Sequence, residues 1–361
     1  MSSLLVVCGE PSSDRAAAKV VSRLNDVRAF GLVGPACEAA GVEPLVSPER
    51  SAALGVLDVA LRAGRIARAM AVVRRAITKR KPRAALLVNY TEFNARLLGP
   101  LRRAGVRVLW YAAPQIWAWR PGRGKAIARG CDALAVILPF EEALWRDRGA
   151  KATYVGHPAL EIARRDRNAL REELGLHRTA ALAILPGSRP AEVRRLLPAM
   201  IDAAAGRQAR VLLTRALDAP TRAWAMEQSR GVPIVETSAE EGATAVLGAF
   251  DVALCASGTA TLECALANVP PVVAYRVDPV AAFVARHALT TKHVALPNVL
   301  LDRRAFPELL QDDARADRMR SALDAIERDA RAREACEEVR ARLGTQHAPS
   351  REVAEMLRPW L

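Results

Sequence analysis

The chain has 361 residues, of which 51% are hydrophobic and 25% are charged, and its formal net charge is +14. This composition excludes a disordered chain, and the length suits two α/β domains better than one small domain. The positive charge favours partners that carry phosphate, such as anionic lipid or phosphorylated ligands. We expect no nucleic-acid partner, because no known binding module accompanies the charge.

The six cysteines have no CxxC spacing, and none lies near a histidine in a ligand pattern. We therefore expect free thiols in a reducing compartment and no metal site. The chain starts directly on a strand-like apolar run, Leu4 to Cys8, so no signal peptide is expected. No apolar stretch reaches the ~20 residues of a membrane-spanning helix. These features predict a cytoplasmic protein.

Short apolar runs alternate with amphipathic segments of helical length, a pattern typical of parallel βαβ units. A first helix is predicted to run to about Leu24. In the first half we predict strands at Leu4–Cys8, Ala85–Val88, Val106–Tyr111, Ala133–Ile137 and Thr153–Val155. After a link near residues 158–167 the pattern restarts, with predicted strands at Ala181–Leu185, Arg210–Thr214, Val232–Val235, Val252–Cys255 and Pro271–Tyr275.

The fold expected from this pattern is α/β, with two facing Rossmann-like, doubly wound domains. The first domain spans 1–163 and is completed by an amphipathic C-terminal helix at 345–361, and the second spans 164–344. Open parallel sheets bind ligands beyond the carboxyl ends of their strands. The interdomain cleft is therefore the expected site, with a nucleotide held by one half and an acceptor by the other.

Two segments of the second half have the composition of phosphate-binding turns. Leu185–Arg189 follows a strand and precedes a helix, so its glycine allows close backbone approach and Arg189 can contact phosphate. Ser257–Glu263 has the same arrangement, and Glu263 can accept hydrogen bonds from a ribose diol. An ordinary strand-to-helix turn and a capping glutamate are the structural alternatives.

Two segments of the first half also attract attention. Tyr111–Arg120 combines two tryptophans with a glutamine and an arginine, which favours sugar or lipid-headgroup binding, although a plug at the end of the sheet fits equally. His157 lies in the run Tyr154–Pro158, where it is either a catalytic base or a structural histidine at a hinge.

Together these motifs resemble the lipid-A-disaccharide synthase family. The run Pro114–Glu141 is similar to that family's PQVWAWR…ILPFE signature, and YVGHP, LPGSR, SGTATLE, VVAYR, LPNVL and PELLQ follow in the family's order. The resemblance implies a GT-B fold and an inverting hexosyltransferase without metal or cofactor. The donor would be UDP-2,3-diacylglucosamine and the acceptor 2,3-diacylglucosamine 1-phosphate. The products would be UDP and the β-1,6-linked lipid A disaccharide 1-phosphate.

The resemblance also implies a peripheral enzyme on an anionic membrane surface, at the inner face of the inner membrane of a Gram-negative bacterium. A homodimer is kept as the candidate assembly. The helical segment Arg62–Lys81 is basic and amphipathic, which favours contact with lipid headgroups. A crossover helix whose apolar stripe packs on the sheet is the alternative. The residues assigned to membrane contact are Ile66, Met70, Arg74, Arg75 and Lys79.

The motifs and the resemblance together give a set of site residues. The donor site comprises Gly187, Ser188, Arg189, Ser257, Gly258, Thr259, Ala260, Glu263, Tyr275, Asn298 and Gln311. The acceptor side comprises Ser12, Asn89, Asn94, Gln115, Trp117, Trp119, Arg120 and His157. The candidates for the general base are, in order, Glu92, Asp14 and Glu10, with a solvated loop acid and a helix cap as the structural alternatives for the first two.

Three positions on the acceptor side depart from the family's pattern. Asn89 and Glu92 stand where the family carries aspartates, and Ser13 stands where it carries glycine. Asn89 cannot take a proton, so the chain either uses another acid or is impaired. Two alternatives therefore stay open, a different UDP-sugar GT-B enzyme, such as a muramyl-type transferase or a sugar epimerase, and a catalytically silent relative that binds lipid or nucleotide.

Overall fold

The computed structural model describes residues 2–46, 56–161, 165–177, 179–238, 241–278 and 291–361, with the backbone alone for 56–63. Contacts divide the chain into two units. The first is Met1–Glu161 together with Gln346–Leu361, and the second is Ile162–Thr345.

A seven-stranded parallel sheet, ordered β3-β2-β1-β4-β5-β6-β7, forms the centre of the first unit. Its strands are β1 (Ser2–Cys8), β2 (Val27–Leu32), β3 (Glu43–Val46), β4 (Ala84–Val88), β5 (Arg107–Tyr111), β6 (Ala133–Val136) and β7 (Ala152–Tyr154). Its helices before the second unit are α1 (Pro11–Val21), α2 (Pro35–Ala39), α3 (Val56–Arg80), α4 (Thr91–Ala95), α5 (Leu98–Arg103), α6 (Gly124–Gly130) and α7 (Pro139–Arg146).

The second unit has a six-stranded parallel sheet, ordered β10-β9-β8-β11-β12-β13. Its strands are β8 (Ala181–Leu185), β9 (Gln208–Thr214), β10 (Ile234–Thr237), β11 (Val252–Ala256), β12 (Pro271–Tyr275) and β13 (Glu308–Leu310). Its described helices are α8 (Arg167–Glu173), α9 (Pro190–Ala203), α10 (Ala219–Gln228), α11 (Thr244–Leu247), α12 (Thr259–Leu266), α13 (Leu296–Leu301), α14 (Ala316–Arg328) and α15 (Arg331–Leu343).

The C-terminal helix α16 (Pro349–Leu357) belongs to the first unit. Its Val353 and Leu357 side chains are fully buried, and they pack in the same cluster as Val20 of α1. This apolar contact joins the last helix to the first, and it explains why the chain returns to the sheet on which it began.

Strand β1 shows why the central strands are uninterrupted apolar runs. Leu5 and Val7 enter the cluster on one face of the sheet, while Leu4 and Val6 enter the cluster on the other. All four side chains are completely buried. A parallel strand covered by helices on both faces has no solvent side, so every position favours an apolar residue.

The expected α/β class with two doubly wound sheets is confirmed, and ten strands lie at or near the predicted runs. Strands β2, β3 and β13 were not predicted. Arg28 and Gly31 interrupt the apolar pattern of β2, β3 is a half-exposed edge strand, and β13 has three residues. Helix α1 also ends at Val21 rather than near Leu24.

Helix α3 has its apolar stripe against the sheet. Met70, Val73 and Ile77 are buried in the cluster that includes β1, and Ile66 packs at its margin. The assignment of Met70 to membrane contact is therefore wrong, because its side chain is buried in the core, whereas Ile66 is partly buried and its assignment stays a prediction. Arg74, Arg75 and Lys79 are exposed, as a crossover helix requires.

Both sheets have a topological switch point between their first and fourth strands. In the first unit β1 pairs with β2 on one side and β4 on the other, and in the second unit β8 lies between β9 and β11. The connections leave in opposite directions at these positions, so a crevice opens beyond the carboxyl ends of the two strands. The loops after β1, β4, β8 and β11 therefore have the best placement for binding ligands.

Candidate functional site

Two glycine turns border the switch point of the second unit. Gly187 follows β8 with φ +114°, and Gly258 follows β11 with φ +141°, both conformations that other residues rarely adopt. A Cβ atom at Gly258 would meet nothing within 4 Å, whereas one at Gly187 would lie 2.5 Å from the Glu192 carboxylate. The backbone at Gly258 is thus open to a ligand, and the turn at Gly187 is closed by its own helix.

Helix α12 starts directly behind the open glycine. Gly258 is its N-cap and supplies no side chain to the first N–H groups, which belong to residues such as Thr259 and Ala260. The Ser257 hydroxyl donates a hydrogen bond to the carbonyl of Val294 at 3.2 Å. The helix N-terminus and its positive dipole end are therefore the groups available to an anion here, with Ser257 holding the turn in place.

Arg189, Glu192 and Tyr275 form a second group at the same edge. The Arg189 guanidinium lies 3.0 Å from Glu192 Oε1, and 60% of its side chain is exposed. Burial and the Glu192 charge raise the pKa of Tyr275, while Arg189 opposes the rise. Glu192 was not singled out from the sequence. Its signal was the acid placed three residues after the N-cap of α9, a position that favours capping and here also orients Arg189.

Three further residues predicted for the donor site differ in how exposed their side chains are. Ser188 is exposed beside Arg189, and Glu263 is 9% exposed one turn into α12. Gln311, at the end of β13, has φ +53° and accepts a hydrogen bond from the Val277 N–H at 3.3 Å. Gln311 therefore lies beyond the carboxyl ends of β12 and β13.

Asn298 requires a correction. It is completely buried, and its amide donates to the Phe306 carbonyl at 2.9 Å and to Glu308 at 2.8 Å. Its carbonyl oxygen accepts the Phe306 N–H at 2.9 Å. These bonds use the side chain to hold β13 against α13, so the prediction that Asn298 contacts the donor is wrong.

Glu10 and Asn89 meet at the switch point of the first unit. Glu10 follows β1, Asn89 follows β4, and the Asn89 amide lies 3.4 Å from Glu10 Oε2. Asn89 and Tyr90 both have positive φ, +50° and +45°. The Tyr90 ring covers Gly9 so closely that a Cβ there would lie 2.4 Å from it. Two adjacent non-glycine residues in this region mark a strained turn of the kind that clusters at functional sites.

Ser13, which replaces the family's glycine, has a structural role. Its hydroxyl accepts the Glu10 N–H at 3.0 Å and donates to the Glu10 carbonyl at 2.8 Å. These two hydrogen bonds tie Ser13 to the backbone of Glu10, the N-cap of α1. Ser12 is half-buried in the same turn. The substitution therefore fixes the position of Glu10.

Asp14 caps α2. It is 3% exposed, and its two carboxylate oxygens accept the N–H groups of Gly34 and Ala36, each at 2.9 Å. A carboxylate occupied in this way cannot approach an acceptor hydroxyl without uncapping the helix, so we remove Asp14 from the candidates for the base. The structural alternative was a cap on α1, and the structure replaces it with a cap on α2.

Asn94 and His157 are also interior residues. Asn94 is completely buried and donates to the Asn89 carbonyl at 2.8 Å, which supports the strained turn from behind. His157 is 2% exposed, and its Nδ1 accepts the Ala159 N–H at 3.1 Å. Burial lowers the pKa of His157 to about 4. Burial and satisfied bonding contradict direct acceptor contact by His157 and a basic role for it. Among the described residues Asn94 Oδ1 has no hydrogen-bond partner, so acceptor contact by Asn94 stays a prediction.

Glu92, the first-ranked candidate for the base, is held by arginines. Arg123 forms two hydrogen bonds to its carboxylate, at 2.5 and 3.1 Å, and Arg120 lies 3.5 Å away. The hydrogen bond from Arg123, together with the charges of Arg123, Arg120 and Arg96, lowers the pKa of Glu92. A lowered pKa makes the carboxylate a poorer proton acceptor.

The tryptophan loop after β5 contacts a buried acid. Trp117 Nε1 donates to Glu141 Oε1 at 2.9 Å, and its ring packs edge-on against Phe140 at 5.4 Å. Trp119 lies beneath the Arg120 guanidinium at 5.5 Å, and Gln115 is exposed. Trp117 thus packs against the end of the sheet, whereas Gln115 and Arg120 of the same loop are exposed.

Three buried side chains of the described first unit lie close enough to share an ion, namely Cys8, Asp14 and Cys37. Their hydrogen bonds account for them without one. The Cys8 thiol lies 3.4 Å from Asp14 Oδ1, and the Cys37 thiol lies 3.3 Å from the Asp14 carbonyl. The neighbouring Cys8 thiol and burial raise the pKa of Cys37, which favours a protonated thiol over a metal-binding thiolate.

Glu141 gives a prediction about stability. It is completely buried at the start of α7, and burial raises its pKa from 4.5 to about 7. Between these values the folded chain binds more protons at Glu141 than the unfolded chain, so the contribution of this group to the free energy of unfolding should fall as pH rises. At ~1.4 kcal/mol per pKa unit the fall is about 3 kcal/mol. His157 acts in the opposite direction, because burial lowers its pKa to about 4, so the quantity to measure is the difference in free energy of unfolding between the unmodified chain and Glu141→Gln. In urea unfolding from pH 4.5 to 8 this difference should fall by that amount. Glu142→Gln, on the same helix but not fully buried, is the control, and its difference from the unmodified chain should stay constant. A constant difference for Glu141→Gln would contradict the assignment.

Comparison with known proteins adds independent evidence. A family model described as lipid-A-disaccharide synthetase matches residues 4–357. The lipid-A-disaccharide synthase of Anaeromyxobacter dehalogenans strain 2CP-1 is 40% identical over 373 residues, which cover 98% of this chain and 96% of that protein.

Solved structures of low sequence identity share the fold. The calicheamicin glycosyltransferase CalG4 superposes with a TM-score of 0.61 at 14% identity, covering 100% of this chain and 98% of that one. The MurG protein of Acinetobacter baumannii gives 0.56 at 12%, covering 99% and 100%. At these identities the similarity supports the GT-B architecture and nothing finer. The family model and the relative are specific, and they show that the chain belongs to the lipid-A-disaccharide synthase family.

Proposed function

We propose that this chain transfers 2,3-diacylglucosamine from its UDP donor to 2,3-diacylglucosamine 1-phosphate, releasing UDP and forming the β-1,6-linked disaccharide. The observation that carries the proposal is the open start of α12 behind Gly258, where backbone N–H groups and a helix dipole are available to a diphosphate. Family membership supplies the identity of the substrates.

The second unit binds the donor in this proposal. The diphosphate lies against Gly258, Thr259 and Ala260, and Arg189 neutralises charge on the leaving UDP. Glu192 orients Arg189, and Glu263 accepts hydrogen bonds from the ribose. Supporting positions around this set are Gly187, Ser188, Ser257, Tyr275 and Gln311.

The first unit binds the acceptor, and Glu10 is the base. Its carboxylate takes the proton of the attacking hydroxyl as the new bond to the donor C1 forms and the bond to UDP breaks. Two observations favour Glu10 over Glu92. Its carboxylate lies at the switch point beside Asn89, whereas the Glu92 carboxylate is held by Arg120 and Arg123. Asn89 then positions Glu10 by hydrogen bonding, a task that an amide performs without titrating.

The experiment is acceptor-dependent UDP release with purified protein in detergent micelles. We expect release with both lipids, a disaccharide product, and a loss of about tenfold or more in UDP affinity for Gly258→Ala, because the methyl group enters the open space and strains the turn. Gly206→Ala is the matched control, since Gly206 also has positive φ and nothing within 4 Å of its Cβ position. It should leave UDP binding, measured by calorimetry, unchanged.

Absence of acceptor-dependent release by the unmodified chain would refute the reaction and leave a silent binding protein. Equal UDP affinity in the two glycine variants would refute the placement of the diphosphate while leaving the reaction intact.

Glu10→Gln should lower kcat by about 10²-fold or more, the usual contribution of a general base, without weakening UDP binding. Glu92→Gln serves as the comparison, and we expect it to lose less than tenfold. The readout is single-turnover disaccharide formation. If the rate of disaccharide formation falls about 10²-fold in Glu92→Gln and not in Glu10→Gln, the base is Glu92.

Membrane contact is the remaining element of the proposal. Among the described helices none is long and apolar enough to cross a membrane. The exposed Arg74, Arg75 and Lys79 of α3 offer a cationic face to anionic headgroups. The homodimer remains a prediction, which a measurement of molecular mass by light scattering would test.

Reversing these three charges to Glu should reduce sedimentation with vesicles containing anionic lipid by more than tenfold, since each cation contributes about 1 kcal/mol near the surface. Reversal of Arg318, Arg320 and Arg328, all exposed on α14, is the control. Equal losses in both triple variants would show that net charge, and not this face of α3, drives the binding.

A further inference from the structure

One carboxylate in the first unit is shared by a group of arginines. Arg123 binds Glu92 through its two terminal guanidinium nitrogens, Arg120 approaches to 3.5 Å, and the charge of Arg96 also acts on this carboxylate. Arg120 and Arg123 thus bring two positive charges to one negative charge. The group keeps an excess of positive charge even when Glu92 is ionised.

The position of this group is informative. Glu92 lies in α4, immediately after the strained turn that ends β4, and Arg120 and Arg123 follow the tryptophan loop that ends β5. Both segments therefore lie at the edge of the sheet where parallel sheets bind ligands. Arg120 itself has φ +52°, an unfavourable conformation for a residue with a side chain, and its guanidinium lies over the Trp119 ring.

A second arginine group in the chain shows what a structural cluster looks like. Arg167, Arg171 and Arg333 surround Asp251 in the second unit. There Arg167 and Arg171 also donate to backbone carbonyls, those of Gly248, Phe250, Ala249 and Thr179 among them. By contrast, the described hydrogen bonds of the Arg123 side chain go to Glu92.

The first group is also accessible. The side chains of Arg120, Arg123 and Glu92 are 51%, 37% and 55% exposed. An ion pair this exposed contributes little to stability, so an incoming anion can displace the carboxylate readily. A phosphate monoester carries ≈ −1.5 to −2 charge and matches both the excess charge and the planar guanidinium geometry.

We propose that Arg120 and Arg123, supported by the charge of Arg96, form a binding site for the phosphate monoester of the acceptor, and that Glu92 occupies this site until the phosphate replaces it. The inference rests on the proposed function and deepens it. It gives the first unit a means of selecting a phosphorylated sugar lipid over the same lipid without its phosphate.

The test compares two acceptors, 2,3-diacylglucosamine 1-phosphate and the same lipid lacking the phosphate, in nonionic micelles free of phospholipid. Arg123→Gln and Arg120→Gln should each lower kcat/KM for the phosphorylated acceptor by about 10- to 100-fold, as expected for lost charged hydrogen bonds. Values for the other acceptor should change less than twofold. Arg123→Lys should recover only part of the loss, because an ammonium lacks the two-pronged geometry.

Matched controls come from the second unit. Arg230 pairs with Asp202 at 2.5 Å, as Arg123 does with Glu92, and Arg333 lies 3.5 Å from Asp251 with similar exposure to Arg120. Their Gln variants should retain full preference for the phosphorylated acceptor. Equal losses with both acceptors in the Arg123 and Arg120 variants, or no loss with either, would overturn the proposal.

Binding separates this inference from the reaction itself. Quenching of the nearby Trp119 by the phosphorylated lipid, absent in Arg123→Gln and with the unphosphorylated lipid, supports the site even if the unmodified chain releases no UDP. Equal quenching by both lipids refutes it. Arg120 and Arg123 could instead bind the phosphate of membrane lipids. In that case Arg123→Gln would sediment less with anionic vesicles and would keep its preference for the phosphorylated acceptor. This result would also overturn the proposal.

Discussion

The parallel pairing of the first strand with the fourth, once in each unit, is the constraint on which the site depends. It forces the following connections to diverge, and the crevice between them receives loops that are far apart in the sequence. Glu10 and Asn89 are brought together in this way, 79 residues apart in the chain. The turns at Gly187 and Gly258 owe their proximity to the same topology. Without this pairing the motifs would be isolated turns.

Polar side chains at the edges of the two sheets have two different roles. Asp14 and Asn298 satisfy backbone groups that would otherwise be buried without partners, and each loss would leave donors or acceptors exposed to an apolar interior. Arg189 and Arg123 extend outward from the same edges and remain accessible. The division follows burial rather than residue type, since acids, amides and a histidine occur among the interior set.

The fold class could be predicted from the sequence because strands that are covered on both faces, such as β1 and β11, are continuous apolar runs. It was insufficient for β2 and β13, whose runs are broken by a charged residue or too short to recognise. Glycine-containing turns between a strand and a helix located Gly258 correctly at a sheet edge. No pattern distinguished Asp14, Asn298 and His157 from residues that face a ligand, because the distinguishing partners are backbone groups brought near by folding. Glu141 was missed for the same reason, whereas Glu192 had a signal in its place three residues after the N-cap of α9.

The contact between the Tyr90 ring and Gly9 has a consequence for how this sequence can change. Any side chain larger than hydrogen at position 9 would collide with the ring, and the ring depends on a left-handed backbone that Asn89 begins. Positions 9, 89 and 90 are therefore coupled, because a change at one of them alters the space or the backbone shape that the others need. Any substitution of Asn89 has to keep the left-handed backbone that places the Tyr90 ring over Gly9.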